Sequence, residues 1–224
     1  MRRWLIPPTH NAAFVAAMEE VLAVYARPVD PRWPLVCFDE CGKDLKAQTR
    51  SPQPAAPGRP AREDSEYVRD GSRNLFLSYA PALGWRHITI TERRTAIDFA
   101  HAIRDLVDLH FPVAERIVLV LDQLNTHTPA ALYQAFPAAE AWRILQKLEW
   151  HYTPTHGSWL NMAELEWSVL SRQCLDRRIP DQTTLETEVA AWVAARNAVR
   201  LTAAWHFTKE DARQRLHWLY PHPA

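Results

Sequence analysis

Cysteine is scarce in this 224-residue chain: Cys37, Cys41 and Cys174 are three in number, and no two of them form a CxxC pair. An odd count at that spacing argues against a disulfide framework and a four-ligand zinc centre, and fits a reducing cytoplasm. No apolar run approaches the roughly 20 residues that a membrane-spanning helix needs. At the start, Arg2 and Arg3 are followed only by Trp4, Leu5 and Ile6 before Pro7 and Pro8, too short a core for a signal peptide. An excess of either charge is also missing, since Lys plus Arg and Asp plus Glu number 26 each. With no overall field to attract a polyanion, any nucleic-acid contact must use local patches. No G-x-S-x-G elbow surrounds Ser158, and there are no internal repeats or heptads.

What is present suits one main domain, with an apolar fraction of 47% and a charged fraction of 23%. Phe14, Met18, Val21, Leu22 and Tyr25 recur at helical spacing and predict an amphipathic helix over 11–26, ended by Pro28, Pro31 and Pro34. Residues 35–39 read as a short buried strand. The Pro- and Arg-rich stretch 51–71 reads as an exposed insertion or long loop. Residues 75–79 and 87–91 predict two strands joined by the turn 81–84, and 95–110 a helix. The aliphatic run 116–122 predicts a central strand covered on both faces. Short helices are expected after Pro129 and Pro137, and then a strand at 148–152. A helix capped by Ser158 should run to about Cys174, and further helices cover 183–199 and 209–219. The division expected is a helix and linker over 1–32, an α/β domain over 33–180 with its insertion near 50–72, and a helical extension over 181–224.

Three acids stand out. Asp39 closes the run Leu35-Val36-Cys37-Phe38, Asp122 closes Ile117-Val118-Leu119-Val120-Leu121, and Glu164 lies inside Ser158-Trp159-Leu160-Asn161-Met162-Ala163-Glu164. Carboxylates that end buried strands are costly to desolvate, so two of them with a third on a helix suggest a shared metal site and phosphoryl-transfer chemistry. In an α/β sheet the first and fourth strands can lie side by side with Asp39 and Asp122 at one edge. Alternation puts Leu35, Cys37 and Asp39 on one strand face and Val36, Phe38 and Glu40 on the other, so Glu40 is either solvated or a supporting group. Glu166 lies about 200° around the helix from Glu164, which favours Glu164. Three carboxylates can hold two Mg²⁺ ions roughly 3.5–4 Å apart. Each acid taken alone also fits an ordinary solvated position.

Cys37-Phe38-Asp39-Glu40, then Leu121-Asp122-Gln123-Leu124-Asn125-Thr126-His127, then His151 to Asn161 with Glu164, resemble the catalytic core of DDE-superfamily transposases of bacterial insertion sequences related to mariner elements. The resemblance runs from about Trp33 to the C-terminus. It implies an α/β, RNase H-like fold with a mixed sheet flanked by helices and a C-terminal helical extension. It further implies Mg²⁺-dependent DNA cleavage and strand transfer, with Mn²⁺ substituting. Asp39, Asp122 and Glu164 would then be the catalytic acids and metal ligands. Double-stranded DNA (transposon ends and target) would be the partner of a homodimer in a bacterial cytoplasm, without membrane attachment.

Asn125 and His127 are candidates to orient a water or phosphate, or to make ordinary turn bonds. His151 and His156 flank the turn into the last catalytic helix as candidate DNA contacts, and Trp159 is a candidate for base stacking. Asn161 shares the polar stripe of Glu164. Arg172, Arg177, Arg178, Arg93 and Arg94 are candidates to grip the DNA backbone, or simply solvated. Two departures from the family pattern matter. Gln123 stands where relatives often carry Asn, and only 38 residues precede Asp39, whereas the family places helix-turn-helix modules there. The chain therefore reads as a catalytic half. It would be served by an upstream segment or a full-length relative, or else be an inactive fragment that regulates such a relative.

Overall fold

The computed structural model describes residues 6, 7, 9 and 11–221; Arg2 to Leu5, part of the signal-peptide argument, lie outside them. Among the described residues five strands form one sheet in the order β3-β2-β1-β4-β5. The first helix, α1 (Ala12–Tyr25), is capped by Asn11, whose side chain accepts from the Phe14 N–H. Then β1 (Leu35–Gln48), β2 (Tyr67–Ala80) and β3 (Trp85–Thr91) form an antiparallel meander. Helix α2 (Ala96–Asp105), extended by a π-helical turn over Leu106–His110, crosses to β4 (Ile117–Leu121), which pairs parallel with β1. After α3 (Pro129–Ala135) and α4 (Ala138–Gln146) the chain enters β5 (Leu148–Tyr152), parallel to β4. Helix α5 (Met162–Leu170), continued by a π turn over Ser171–Leu175, is followed by α6 (Gln182–Ala198) and α7 (Lys209–Arg215). This is the mixed sheet flanked by helices, with C-terminal helices, that the resemblance implies.

The two sheet faces are covered differently, as strand alternation dictates. Cys37, Val118 and Val120 pack with Met18, Leu22, Leu160, Trp167 and Leu170 on the side of α1 and α5. Val36, Phe38, Leu119 and Leu121 pack with Phe99, Ile103, Leu132 and Ile144 on the side of α2, α3 and α4. All five residues of β4 are buried, each contributing about 1.5–3 kcal/mol of apolar burial. The run is apolar throughout because the strand has no solvent face.

Two boundaries differ from expectation. Strand β1 runs on to Gln48 and β2 starts at Tyr67, so both strands are longer than expected and the connection lies at 49–66 rather than 51–71. From Tyr67 to Ser72 β2 is exposed residue after residue, so no apolar alternation announces its start. Ser158 does not cap α5. It opens a short 3-10 turn, and Asn161 is the cap, its side chain accepting from the Ala163 N–H. Among the described residues no helix is long and apolar enough to cross a membrane.

Gly84 closes the turn between β2 and β3 at φ 61°, and a Cβ there would collide with the Arg200 backbone carbonyl. Gly84→Ala is expected to cost about 1–3 kcal/mol from backbone strain alone, before the clash is counted. An unchanged urea midpoint would show that the 200–201 segment yields freely.

His87 on β3 lies 4.2 Å, ring centre to ring centre, from His110, with Trp85 beside both. Burial, and then the charge of His110, lower the His87 imidazole to about 4. Between the unperturbed value near 6.5 and 4, the unfolded chain takes up a proton that the folded chain refuses. Stability is therefore lost as pH falls through that window, and His87→Gln is expected to flatten the loss. Parallel urea midpoints for variant and parent at pH 7 and pH 5 would count against this assignment.

Candidate active site

The register of β1 and β4 sets the site. Cys37 lies opposite Val120 as the last pair of the register, and each strand carries an acid two residues on, Asp39 and Asp122. Cys37, Val118 and Val120 face α5, and alternation puts Asp39 on the same face. Helix α5 is fastened to this edge by Asn161, which is buried and donates from Nδ2 to the Phe38 carbonyl oxygen at 2.8 Å. Tyr25 adds a second fastening, its hydroxyl donating to the Leu160 carbonyl oxygen at 2.6 Å. Glu164, in the first turn of α5, then stands at the mouth of the same edge.

The three carboxylates feel one another. Burial, then the charges of Glu164, Glu40 and Asp122, raise Asp39 to about 8. Glu164 is raised, first by desolvation and further by Asp122, although a hydrogen bond from Ser158 opposes the shift and the residue itself is solvent-accessible. Asp122 is also pushed up by burial, but the hydrogen bond and charge of His127 outweigh this and leave it lowered. Among the described residues no three such side chains are drawn close enough to enclose a cation. The donor set nevertheless suits a hard divalent cation: oxygen ligands of like charge whose mutual repulsion a cation would relieve.

His127 is the centre of a buried ionic group. Its ring is wholly enclosed, flanked by Phe38 and Phe99, with Nδ1 2.6 Å from Asp122 Oδ1. Its Nε2 lies 2.9 Å from Glu40 Oε2, an ion contact without good hydrogen-bond alignment. Desolvation alone would lower His127, but its hydrogen bond to Asp122 and its close contact with Glu40, together with the charges of both acids, prevail and raise it to about 9. The Leu124 N–H also donates to Asp122 Oδ1, so both of these bonds fall on the same oxygen. Glu40, on the opposite strand face from Asp39, is thus a supporting group, with a side chain only 3% exposed. Arg94 Nη1 reaches Glu40 Oε1 at 3.4 Å, and its charge helps to lower Asp122.

The remaining candidates are placed less centrally. Asn125, His156 and Arg172 are exposed, His156 in a turn at φ 65°. Trp159 is half-buried and stacked on Trp205 with Phe207 against it, so its aromatic partner lies within the protein rather than on a base. His151 is buried and both ring nitrogens are taken, by Glu20 at 2.8 Å and Glu149 at 2.7 Å, which removes it as a DNA contact. Arg177 pairs with Glu188 and Arg178 with Glu63. Sequence reasoning overlooked Arg86, which is fully buried against Glu166. Its signal was available: in β3 it shares the strand face of Ile88 and Ile90, which pack into the core.

Residues 34–186 match the family model described as DDE superfamily endonuclease. The chain belongs to this family. Among solved structures, the Mos1 mariner paired-end complex with Mn aligns at a TM-score of 0.60 and 16% identity, covering 100% of this chain and 67% of that one. The Mos1 strand transfer complex aligns at 0.58 and 14% identity, covering 97% and 63%. A pre-cleavage Mos1 transpososome aligns at 0.56 and 14%, covering 100% and 67%. The chain thus spans about two thirds of the Mos1 chain and shares its RNase H-like fold. No curated protein matches it.

Proposed function

We propose that this DDE-family chain is the catalytic domain of an insertion-sequence transposase, cleaving DNA to expose a 3′ hydroxyl that then attacks target DNA. What supports the reading is that Asp39 and Glu164 are both raised by burial and by the charges of neighbouring acids, Asp122 among them in each case. Asp39, Asp122 and Glu164 would hold Mg²⁺, or Mn²⁺ in its place; the similar Mos1 complexes were crystallised with each. When bound, such ions would polarise the phosphodiester and activate the attacking oxygen. The chain's own residues supply the rest. His127 and the Leu124 N–H hold one oxygen of Asp122, Asn161 anchors α5 beside Phe38, and Arg94 places positive charge at the rim.

Transposon-end and target DNA are the proposed substrates, because the similar Mos1 structures are paired-end and strand transfer complexes. A homodimer on DNA and an upstream recognition segment belong to the same proposal, as does a bacterial origin. Nicking of supercoiled plasmid in Mn²⁺ tests it without requiring end recognition. The expected result is metal-dependent nicking that EDTA stops and Glu164→Gln lacks. Absence of nicking by the parent chain would favour an inactive partner of a full-length transposase, which co-purification in mixed assemblies would then reveal.

A further inference from the structure

Glu164 and Glu166 leave α5 in nearly opposite directions, two residues being about 200° of helix. Glu164 is exposed at the site edge, whereas Glu166 is 3% exposed and points into the protein. There it meets Arg86 Nε at 2.8 Å and accepts two hydrogen bonds from Arg196 of α6, Nε to Oε1 at 2.9 Å and Nη2 to Oε2 at 3.2 Å. Arg86 is fully buried and continues the network. It donates to the Leu201 carbonyl oxygen at 2.8 Å and lies over the Tyr79 ring. Asn197, next to Arg196, exchanges hydrogen bonds with the Arg86 backbone at 3.0 and 2.8 Å. Strand β3, helix α5 and the end of α6 are thereby joined through one carboxylate.

We propose that Glu166 is a positioning residue for Glu164, and that the Arg86–Glu166–Arg196 cluster makes helix α6 a working part of the cleavage centre. The proposal rests on the reading of Glu164 as a metal ligand. A nine-residue helix whose buried contacts are Met162, Ala163, Trp167 and Leu170 is held laterally by shape, but packing of such side chains tolerates a small roll. Asn161 pins the N-terminal end against β1, and the two-oxygen grip on Glu166 fixes the rotation. The bidentate geometry suits this because an Arg fork on a carboxylate defines a direction as well as a distance. A buried ion cluster is a poor device for stability alone, since apolar replacements often serve as well, which makes an orienting role the economical explanation.

The test is Mn²⁺-dependent thermal stabilisation of the full chain, titrated with MnCl₂ and no DNA. Variants are Glu166→Gln, Arg196→Met, Glu164→Gln and Leu185→Ala, the last a buried α6 residue that touches neither acid's role. Glu166→Gln and Arg196→Met are expected to fold and to need about tenfold more Mn²⁺ for half-maximal stabilisation, a loss of the size seen when groups behind metal ligands are removed. Leu185→Ala is expected to lower the melting temperature without moving the Mn²⁺ midpoint. Should Glu166→Gln fail to fold, Arg196→Met still decides, because its partner Glu166 keeps Arg86. Parent-like Mn²⁺ midpoints in both clamp variants, with Glu164→Gln impaired, would overturn the clamp alone. An equal shift in Leu185→Ala would also overturn it, reducing the cluster to general stability. Parent-like Mn²⁺ response in Glu164→Gln would remove both the metal reading and the clamp.

Discussion

Asp122→Asn is expected to lower Mn²⁺-dependent nicking by at least about a hundredfold while leaving the fold intact. The magnitude follows from position: removing groups that merely support a metal ligand costs about 10–100-fold, so removing the charge of a ligand itself should cost more. The fold should survive because the amide oxygen of Asn can still accept from the Leu124 N–H and from His127 Nδ1, the bonds that Asp122 Oδ1 makes. The comparison that matters is cleavage rate across an Mn²⁺ titration beside unfolding in urea. A ligand variant lowers the first far more than the lost charge pairing with His127 lowers the second. Nicking within about threefold of the parent would remove Asp122 from the site.

The largest expected stability effect belongs to His127→Asn. The imidazole sits between Asp122 at 2.6 Å and Glu40 at 2.9 Å, and the Glu40 side chain is 3% exposed. Taking the ring away leaves the buried Glu40 carboxylate with the longer Arg94 contact at 3.4 Å. Breaking one side of a buried ion pair costs about 3–5 kcal/mol, mostly the penalty for the partner left behind. Because Arg94 compensates part of that charge, about 3 kcal/mol is the expectation. If the stranded charge is the cause, Glu40→Gln in the same chain should recover most of the loss, a coupling that a double-mutant cycle in urea reads directly. Additive losses would mean that His127 acts through packing against Phe38 and Phe99 instead. The pH dependence has a fixed sign: a His raised from about 6.5 to about 9 stabilises fully below 6.5, and the contribution is lost as pH rises through about 9.

Much of this architecture was legible in the residues. The unbroken Ile117-Val118-Leu119-Val120-Leu121 run announced a strand covered on both faces, and β4 is one. Period-two alternation in Leu35 to Glu40 was enough to send Asp39 and Glu40 to opposite faces, as the packing of Cys37 and Phe38 bears out. What stayed hidden was set by contacts between distant segments. Cys41 to Gln48 and Tyr67 to Asn74 pair as strands although they present little apolar surface, so nothing local distinguishes them from loop. Asn161 replaces Ser158 as the α5 cap because the Phe38 carbonyl oxygen, 123 residues earlier, fixes where the helix begins. Trp159 finds Trp205, and Glu166 finds Arg86 and Arg196, across separations of 30 residues or more that no local pattern encodes.

The central claim is that Asp39, Asp122 and Glu164 together bind a divalent cation. A crystal of the chain soaked in MnCl₂, measured at the manganese absorption edge, tests this most directly. One or two anomalous peaks within ligand distance of all three carboxylates is the predicted result. Peaks elsewhere, or at Asp39 and Asp122 with Glu164 turned away, would contradict it.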